Sequence, residues 1–251
     1  MYQEERLLKI LEYLNGNNNM SIHTICEMFS VSRDTARRDI IKLIEQGTAI
    51  RTHGGISLPT LKTTIEAYRE RLKYYSEEKR SIANKALEFI DENKHYFFDV
   101  STTVSFLAEY INKSIIVVTH SLDNIEIFSD KKDVSVYSIG GCLNNKNRFF
   151  YKPGCINYLQ GMRFDAAFIG AAAINEDGIY YDDYEDAFIK QAAVKKSCKV
   201  IVLTDCKKFK LSSYYKGVNW DQVDVIITDS KPPKIFIDII EKQDIQLIIA
   251  D

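Results

Sequence analysis

Three arginines, Arg33, Arg37 and Arg38, fall within six residues, and Arg51 follows shortly after. A guanidinium hydrogen-bonds guanine in two-pronged fashion from the major groove, and it also pairs with phosphate. The chemistry on offer is therefore recognition of double-stranded DNA. At 100° per residue with Ala36 at zero, Ile40, Leu43 and Ile44 fall within about 80° and form an apolar stripe. Arg38 falls about 200° away, opposite that stripe, with Asp34, Thr35 and Lys42 beside it. Arg33 and Arg37 lie at the edges, in reach of phosphates. Thr35 suits a phosphate or a thymine methyl. Ser32 fits an N-cap and Gly47 the left-handed position that closes a helix. The expected DNA-contacting residues are Ser32, Arg33, Asp34, Thr35, Arg37, Arg38 and Lys42, with Arg51 and His53 on the segment that follows.

A second group of polar residues gathers where apolar runs end. HYFFD ends in Asp99, followed by Ser101, Thr102 and Thr103; IIVVT is followed by His120 and Ser121; VYSI by Gly140 and Gly141; VIVLT by Asp205, with Lys208 beyond. Hydroxyls and N–H groups opening a helix hold phosphate, and a lysine adds a point charge. Any one such Ser or Thr is ordinarily just a helix cap. Such strand ends gathered on one sheet edge point to a shared pocket, because open α/β sheets bind ligands at the carboxyl ends of their strands.

The elements that position both groups are legible as periodicities. Gln3 to Asn15 carries a helix-period stripe of Leu7, Leu8, Ile10, Leu11 and Leu14. Ser21 caps a second helix, IHTICEMF, and a short turn at Ser30 and Val31 leads to the arginine helix, which is the helix-turn-helix order. TAIRTHGGISL then alternates around Gly54-Gly55 and suits a hairpin wing. Residues 59–75 read as a linker, partly helical over IEAYRERLKYY. SEEKRSIANKALEFIDEN reads as an amphipathic helix with Ser76 as cap and Lys79 where a capping box has Glu. Beyond it, seven apolar runs (HYFFDV, SIIVVT, VSVYSIGG, AAFIGAA, KVIVLTD, DVIITD, IQLIIAD) alternate with helical segments. Continuous Val/Ile-rich runs imply strands buried on both faces. Pro232 and Pro233 fit the first turn of the last helix. The expected fold class is α/β: an N-terminal winged helix-turn-helix domain (1–58), a linker (59–75) and a mostly parallel open α/β sheet sensor domain (76–251).

Charge alone does not advertise a nucleic-acid partner. Residues 1–56 hold seven Lys+Arg and seven Asp+Glu, a difference of zero, and the 251-residue chain carries −2. One such module binds DNA weakly, so a homo-oligomer reading two half-sites is expected. No apolar run approaches a membrane span, and the acidic N-terminus is unlike a signal peptide. The five cysteines form no C-x-x-C pair and the four histidines show no ligand spacing, so a cytoplasmic chain without metal or cofactor is expected.

The combined S-x-x-T-x-R-R-D, E-x-G and R-x-H-G-G pattern, with Arg6, Ile10 and Leu14, resembles the DNA-binding domain of DeoR-family transcription regulators. EEKRSIANKA, FFDVSTT, VVTHSL, SIGG, FDAAFIG, DAFIKQAAV, LTDCKKF and VIITD likewise resemble the family's sensor domain, related in fold to ribose phosphate isomerases. The resemblance implies a repressor of a carbohydrate operon controlled by a phosphorylated sugar. The effector residues it implies are Asp99, Ser101, Thr102, Thr103, His120, Ser121, Gly141, Asp186, Lys190, Asp205 and Lys208. The chain departs from the family in four places. Asp99-Val100-Ser101-Thr102-Thr103 replaces Asp-Ser-Gly-Thr-Thr, His120 replaces Asn, GAAAIN (170–175) replaces Gly-x-x-Gly-Ile-Asp, and Asp186 stands where Glu is common. These imply an atypical ligand or a low affinity.

Two other functions compete. A sugar-phosphate isomerase with a DNA-binding appendage needs a carboxylate base, for which Asp99, Asp165, Asp186 and Asp205 with Lys208 are candidates. GAAAIN lacks the acidic residues that such enzymes carry there, so no catalytic residue is assigned. An effector-free DNA-binding protein is the other.

Overall fold

The computed structural model describes residues 3–17, 19–45, 48–52, 54–57 and 76–250. Gly47, His53, the linker and its expected helix, and the boundaries drawn at 58/59 and 75/76 lie outside the described residues, as does the side chain of Ser76. The chain forms two compact units, Met1–Arg69 and Glu70–Asp251.

In the first unit α1 (Gln3–Asn17) leads to a short strand β1 (Asn19–Ser21), then α2 (Ile22–Phe29) and α3 (Arg33–Glu45). Ser21 caps α2 by accepting the Thr24 N–H at 3.0 Å, and Ser32 accepts the Thr35 N–H at 3.2 Å. The turn between the helices bends at Ser30, whose φ of 50° is left-handed. Strands β2 (Ile50–Thr52) and β3 (Gly55–Ser57) form the hairpin. Gly54, at φ 93°, supplies the left-handed residue that its turn requires. β3 also pairs with β1, which makes a three-stranded sheet. Strand β1 was not foreseen, because three residues are too few to show a period. Ile10, Leu14, Ile25, Ala36, Leu43 and Ile56 meet in one small core.

The second unit opens with α4 (Ser76–Ala86), which turns into a 3₁₀ segment at Leu87–Phe89, so the expected long helix ends early. Lys79 is buried rather than facing solvent as a capping-box partner would. Strand β4 (His95–Phe98), α5 (Thr102–Tyr110), β5 (Ile115–Thr119), α6 (Leu122–Ser129) and β6 (Val134–Ser138) follow. A hairpin of β7 (Cys142–Asn144) and β8 (Phe149–Tyr151) leads to α7 (Cys155–Gln160) and β9 (Ala166–Ile169). The chain continues through β10 (Ala173–Asn175), β11 (Gly178–Tyr181), α8 (Tyr184–Val194), β12 (Val200–Leu203) and β13 (Tyr215–Val218). It closes with β14 (Val225–Thr228), α9 (Lys234–Lys242) and β15 (Gln246–Ile249). Pro233 is the N-cap of α9 rather than part of its first turn, and Pro232 precedes it.

All seven apolar runs become strands of one sheet, in the order β15-β14-β12-β9-β4-β5-β6, and every pairing is parallel. The central strands β9, β12 and β14 are buried along their length, whereas the edge strands β6 and β15 are partly exposed. Alternation along β4 sends Phe97 into one core layer and Tyr96 and Phe98 into the other. A smaller antiparallel sheet, β10-β11-β13, and the β7-β8 hairpin were not foreseen, since their strands are only three or four residues long. The chain leaves β4 toward β5 and leaves β9 toward β12, so the two neighbours diverge. That switch point is where a doubly wound sheet opens a crevice. Among the described residues no helix is long and apolar enough to cross a membrane.

Candidate functional site

In the first unit, α3 buries Ala36, Asp39, Ile40 and Leu43 and leaves Arg33, Arg37 and Arg38 exposed. Thr35 and Lys42 are half-buried, and Arg51 is exposed on the hairpin. Ser32 and Thr35 also join hydroxyl to hydroxyl at 3.0 Å, so the N-cap engages both. Asp34 lies 3.8 Å from the Arg37 guanidinium in an exposed pair worth little.

The residue that sequence reasoning missed is Asp39. Its carboxylate is fully buried and accepts from Arg6 Nε at 2.5 Å and Nη2 at 3.0 Å, with Gln3 Nε2 at 2.9 Å. The Asp39 hydrogen bond holds the Arg6 guanidinium further above its ordinary value. The wheel held the signal. Asp39 lies about 60° from Ala36, on the buried side, where a carboxylate requires a cation. The pair fastens α3 to α1 and so fixes the angle at which the arginines are presented.

In the second unit the strand-end residues divide. Asp99, at the end of β4, accepts the Gly170 N–H at 2.7 Å from the end of β9 and the Ser101 N–H at 2.8 Å, so it bridges the switch point. Lys190 Nζ lies 2.9 Å from Asp99 and 2.9 Å from Asp186, one turn earlier on α8. Asp186 also meets His120 Nε2 at 2.8 Å. Asp99, His120, Asp186 and Lys190 are thus one buried cluster. Burial alone would lower the Lys190 pKa, but the two carboxylates outweigh it and hold the ammonium above its ordinary value. Burial likewise acts to raise Asp186, and Lys190 and His120 outweigh it, so that carboxyl sits below its ordinary value. The Tyr181 ring lies 3.8 Å from Lys190 Nζ, and its hydroxyl donates to the Gly170 carbonyl at 3.0 Å. Burial pushes that phenol well above its usual range.

Ser101 caps α5 by accepting the Val104 N–H at 3.2 Å. A Cβ on Gly170 would fall 2.3 Å from Ser101 Cβ, so the glycine is required by this contact. The space that a glycine at 101 would leave is filled by the serine. Thr102 is half-buried and Thr103 buried in the first turn of α5. Ser121 caps α6 and accepts the Asn124 N–H at 3.2 Å. Asn124 then donates to the Asp99 carbonyl at 2.7 Å and accepts from Ser105 at 2.9 Å. Asn124, Ser105 and Tyr181 were not among the expected residues.

The remaining expected residues lie outside this network. Asp205 accepts the Lys207 N–H at 3.1 Å and caps a 3₁₀ segment, Cys206–Lys210, which carries the half-buried Lys208. Gly141 is exposed at the start of the β7-β8 hairpin. That hairpin roofs the His120 end of the cluster: Phe150 N–H donates to the His120 carbonyl at 2.8 Å, and the Phe149 ring meets the imidazole edge-on at 5.7 Å. Phe97 stacks on the imidazole at 5.7 Å. Asn147 and Asn144 tie the hairpin to Asp183, just before α8. His120 Nδ1 is buried without a hydrogen-bond partner, which costs about 1–3 kcal/mol.

A helix-turn-helix with an arginine face and a hairpin wing, joined to a parallel α/β unit with a polar switch point, defines a ligand-responsive DNA-binding regulator. The DeoR-like helix-turn-helix domain matches residues 6–62 and the DeoR C terminal sensor domain matches residues 75–230, so the chain belongs to the DeoR family. The HTH-type transcriptional repressor GlcR of Bacillus subtilis (strain 168) is 37% identical over 100% of this chain and 98% of its own. The glycerol-3-phosphate regulon repressor of Escherichia coli (strain K12) is 28% identical over 98% of this chain and 99% of its own. A solved ribose 5-phosphate isomerase A from Neisseria gonorrhoeae overlaps at a TM-score of 0.37 with 18% identity, over 52% of each chain. An overlap of that size adds nothing to the assignment.

Proposed function

We propose that this chain represses a carbohydrate-metabolism operon and that a phosphorylated sugar, bound at the switch point, controls its hold on the operator. The observation that carries this reading is the buried Asp99–Lys190–Asp186–His120 cluster in the crevice between β4 and β9. Carboxylates and an ammonium there suit sugar hydroxyls. The first turn of α5, capped by Ser101, suits the phosphate. Thr102, Thr103, Ser121, Gly141, Asp205 and Lys208 are proposed as further contacts. The family membership and the repressor names of its relatives support the same reading.

On the DNA side, Arg38 is proposed to read a base and Arg33, Arg37 and Arg51 to bind phosphates, with Ser32, Asp34, Thr35, Lys42 and His53 beside them. Too few cations lie on one unit to bind tightly, so a homo-oligomer on two half-sites is proposed, acting in the cytoplasm with the chromosome. Catalysis is not part of the proposal. Asp186 is held ionised by Lys190, which makes it a poor proton acceptor.

The test is titration of an operator fragment with the full chain at fixed salt, with and without sugar phosphates. Arg38→Ala is expected to cost about 1–3 kcal/mol of specific binding at unchanged Tm. The cognate effector is expected to change operator affinity roughly 5–150-fold, and saturation is expected at more than one chain per operator. Operator affinity equal to wild type in Arg38→Ala would overturn the DNA assignment. No response to any sugar phosphate would overturn the effector assignment, and one chain per operator the assembly.

A further inference from the structure

The proposed sugar phosphate has two chemically different ends, and the cluster distinguishes them. His120 is fully buried, its Nε2 lies 2.8 Å from the Asp186 carboxylate, and its Nδ1 is the buried side-chain polar atom without a partner among the described residues. Asp186 fixes the ring, because Nε2 must carry the proton that the carboxylate accepts. Nδ1 is then a lone-pair acceptor in the neutral imidazole and a donor in the imidazolium. A phosphate oxygen matches only the donor form and an ammonium only the acceptor form. A hydroxyl matches both, since it can donate or accept.

The surrounding charge points the same way. Asp99 and Asp186 set two carboxylates against the single ammonium of Lys190 within the cluster, which repels a phosphate from this end. Phe97 and Phe149 close the two remaining sides of the ring with apolar surface. Polar recognition at His120 is therefore confined to one nitrogen. The Nδ1 atom is covered, so a ligand reaches it by displacing part of that cover. The β7-β8 hairpin supplies part of that cover; it is tied down by Asn144 and Asn147 to Asp183, by Arg148 to Asp123 at 2.7 Å, and by the Leu122 N–H donating to the Arg148 carbonyl at 2.9 Å.

We propose that His120 Nδ1 hydrogen-bonds one hydroxyl of the effector, so that His120 selects a ligand hydroxylated at the end remote from its phosphate. This rests on the sugar-phosphate reading above. The experiment is calorimetric titration of the full chain with glucose 6-phosphate, fructose 6-phosphate, ribose 5-phosphate, glycerol 3-phosphate and inorganic phosphate. The tightest binder is followed by its series of monodeoxy analogues. In wild type one deoxy position is expected to cost about tenfold or more in affinity. His120→Gln keeps a donor toward Asp186 but has no group at the Nδ1 position, so the same deoxy change is expected to cost nothing there. His120→Asn places an amide near the Nδ1 position and is expected to keep a penalty. Folding of both variants is checked by Tm. The ¹⁵N shift of Nδ1 in the wild-type chain supplies a readout independent of either variant, and it is expected to move on binding the parent sugar phosphate but not its sensitive deoxy analogue. Deoxy penalties unchanged in His120→Gln, or an Nδ1 signal indifferent to ligand, would overturn this proposal and leave the sugar-phosphate reading intact. No binding by any phosphate ester would overturn that reading and this proposal together.

Discussion

Replacing Arg6 by Ala is expected to abolish operator binding although Arg6 is buried and lies on α1, away from the exposed arginines of α3. The substitution leaves Asp39, fully buried on α3, without the guanidinium that now bonds it at 2.5 and 3.0 Å. Breaking one side of a buried ion pair costs about 3–5 kcal/mol, because the remaining charge is neither hydrated nor paired. A 69-residue unit has roughly 3–10 kcal/mol of stability in total. The loss therefore takes much or all of it, and the arginine face of α3 is lost with the fold. Asp39→Ala is expected to cost less than the reverse change, since a guanidinium on a long side chain can swing toward water. Arg6→Leu/Asp39→Leu is expected to recover most of the loss, because an apolar pair of similar size removes both desolvation penalties. Thermal unfolding followed by circular dichroism, with operator binding measured beside it, checks all three. Arg6→Ala unfolding at the wild-type temperature would show that the pair is not what fastens α3 to α1.

The Arg6–Asp39 pair also marks the limit of what the sequence made legible. Apolar periodicity located α1, α2 and α3, because each helix buries one stripe and the stripe is in the sequence. The same periodicity places Asp39 on the buried side, but a wheel is local and cannot name a partner 33 residues away. The parallel sheet was legible for a related reason. Strands covered on both faces must be apolar throughout, and all seven such runs form its strands. The accessory strands β7, β8, β10, β11 and β13 are short and of mixed character, so no period marks them. At the switch point, residue type and strand-end position singled out Asp99, Ser101 and His120. Their actual partners depend on α8 and the hairpin packing back over the crevice. Asp205, Lys208 and Gly141 obeyed the same strand-end rule, yet the contacts described for Asp205 are local and Gly141 lies exposed on the hairpin. Position on a sheet edge is set by sequence order. Convergence on one point is set by tertiary packing.

Lys190→Met is expected to destabilise the sensor unit by about 3–5 kcal/mol near neutral pH, and the loss is expected to shrink as the pH is lowered. In the wild-type fold Asp186 lies below its ordinary carboxyl value of 3.8 and Lys190 above its ordinary value of 10.5. A carboxyl lowered by folding contributes stability that is present above the ordinary value and is lost as pH falls through the folded one. An ammonium raised by folding contributes stability that is present below its ordinary value and is lost as pH rises through the folded one. Between about pH 4 and 10 neither group titrates, so the contribution of these two groups is flat across the usual working range. Removing Lys190 leaves burial as the dominant influence on Asp186 and brings its carboxylate and that of Asp99 together without the shared cation. The folded state then binds a proton that the unfolded state releases, and stability falls with rising pH by up to about 1.4 kcal/mol per pH unit. At about 2–4 °C per kcal/mol for a unit of this size, the Tm deficit is expected to be roughly 6–20 °C at pH 7.5 and clearly smaller at pH 5. Adding Asp186→Asn to Lys190→Met is expected to remove much of this pH dependence, since one of the two orphaned carboxylates is gone. Scanning calorimetry of the three chains at both pH values decides the matter. An equal Tm deficit at pH 5 and pH 7.5 would mean that Lys190 acts through packing on Tyr181 and not by holding the buried Asp186 carboxylate ionised.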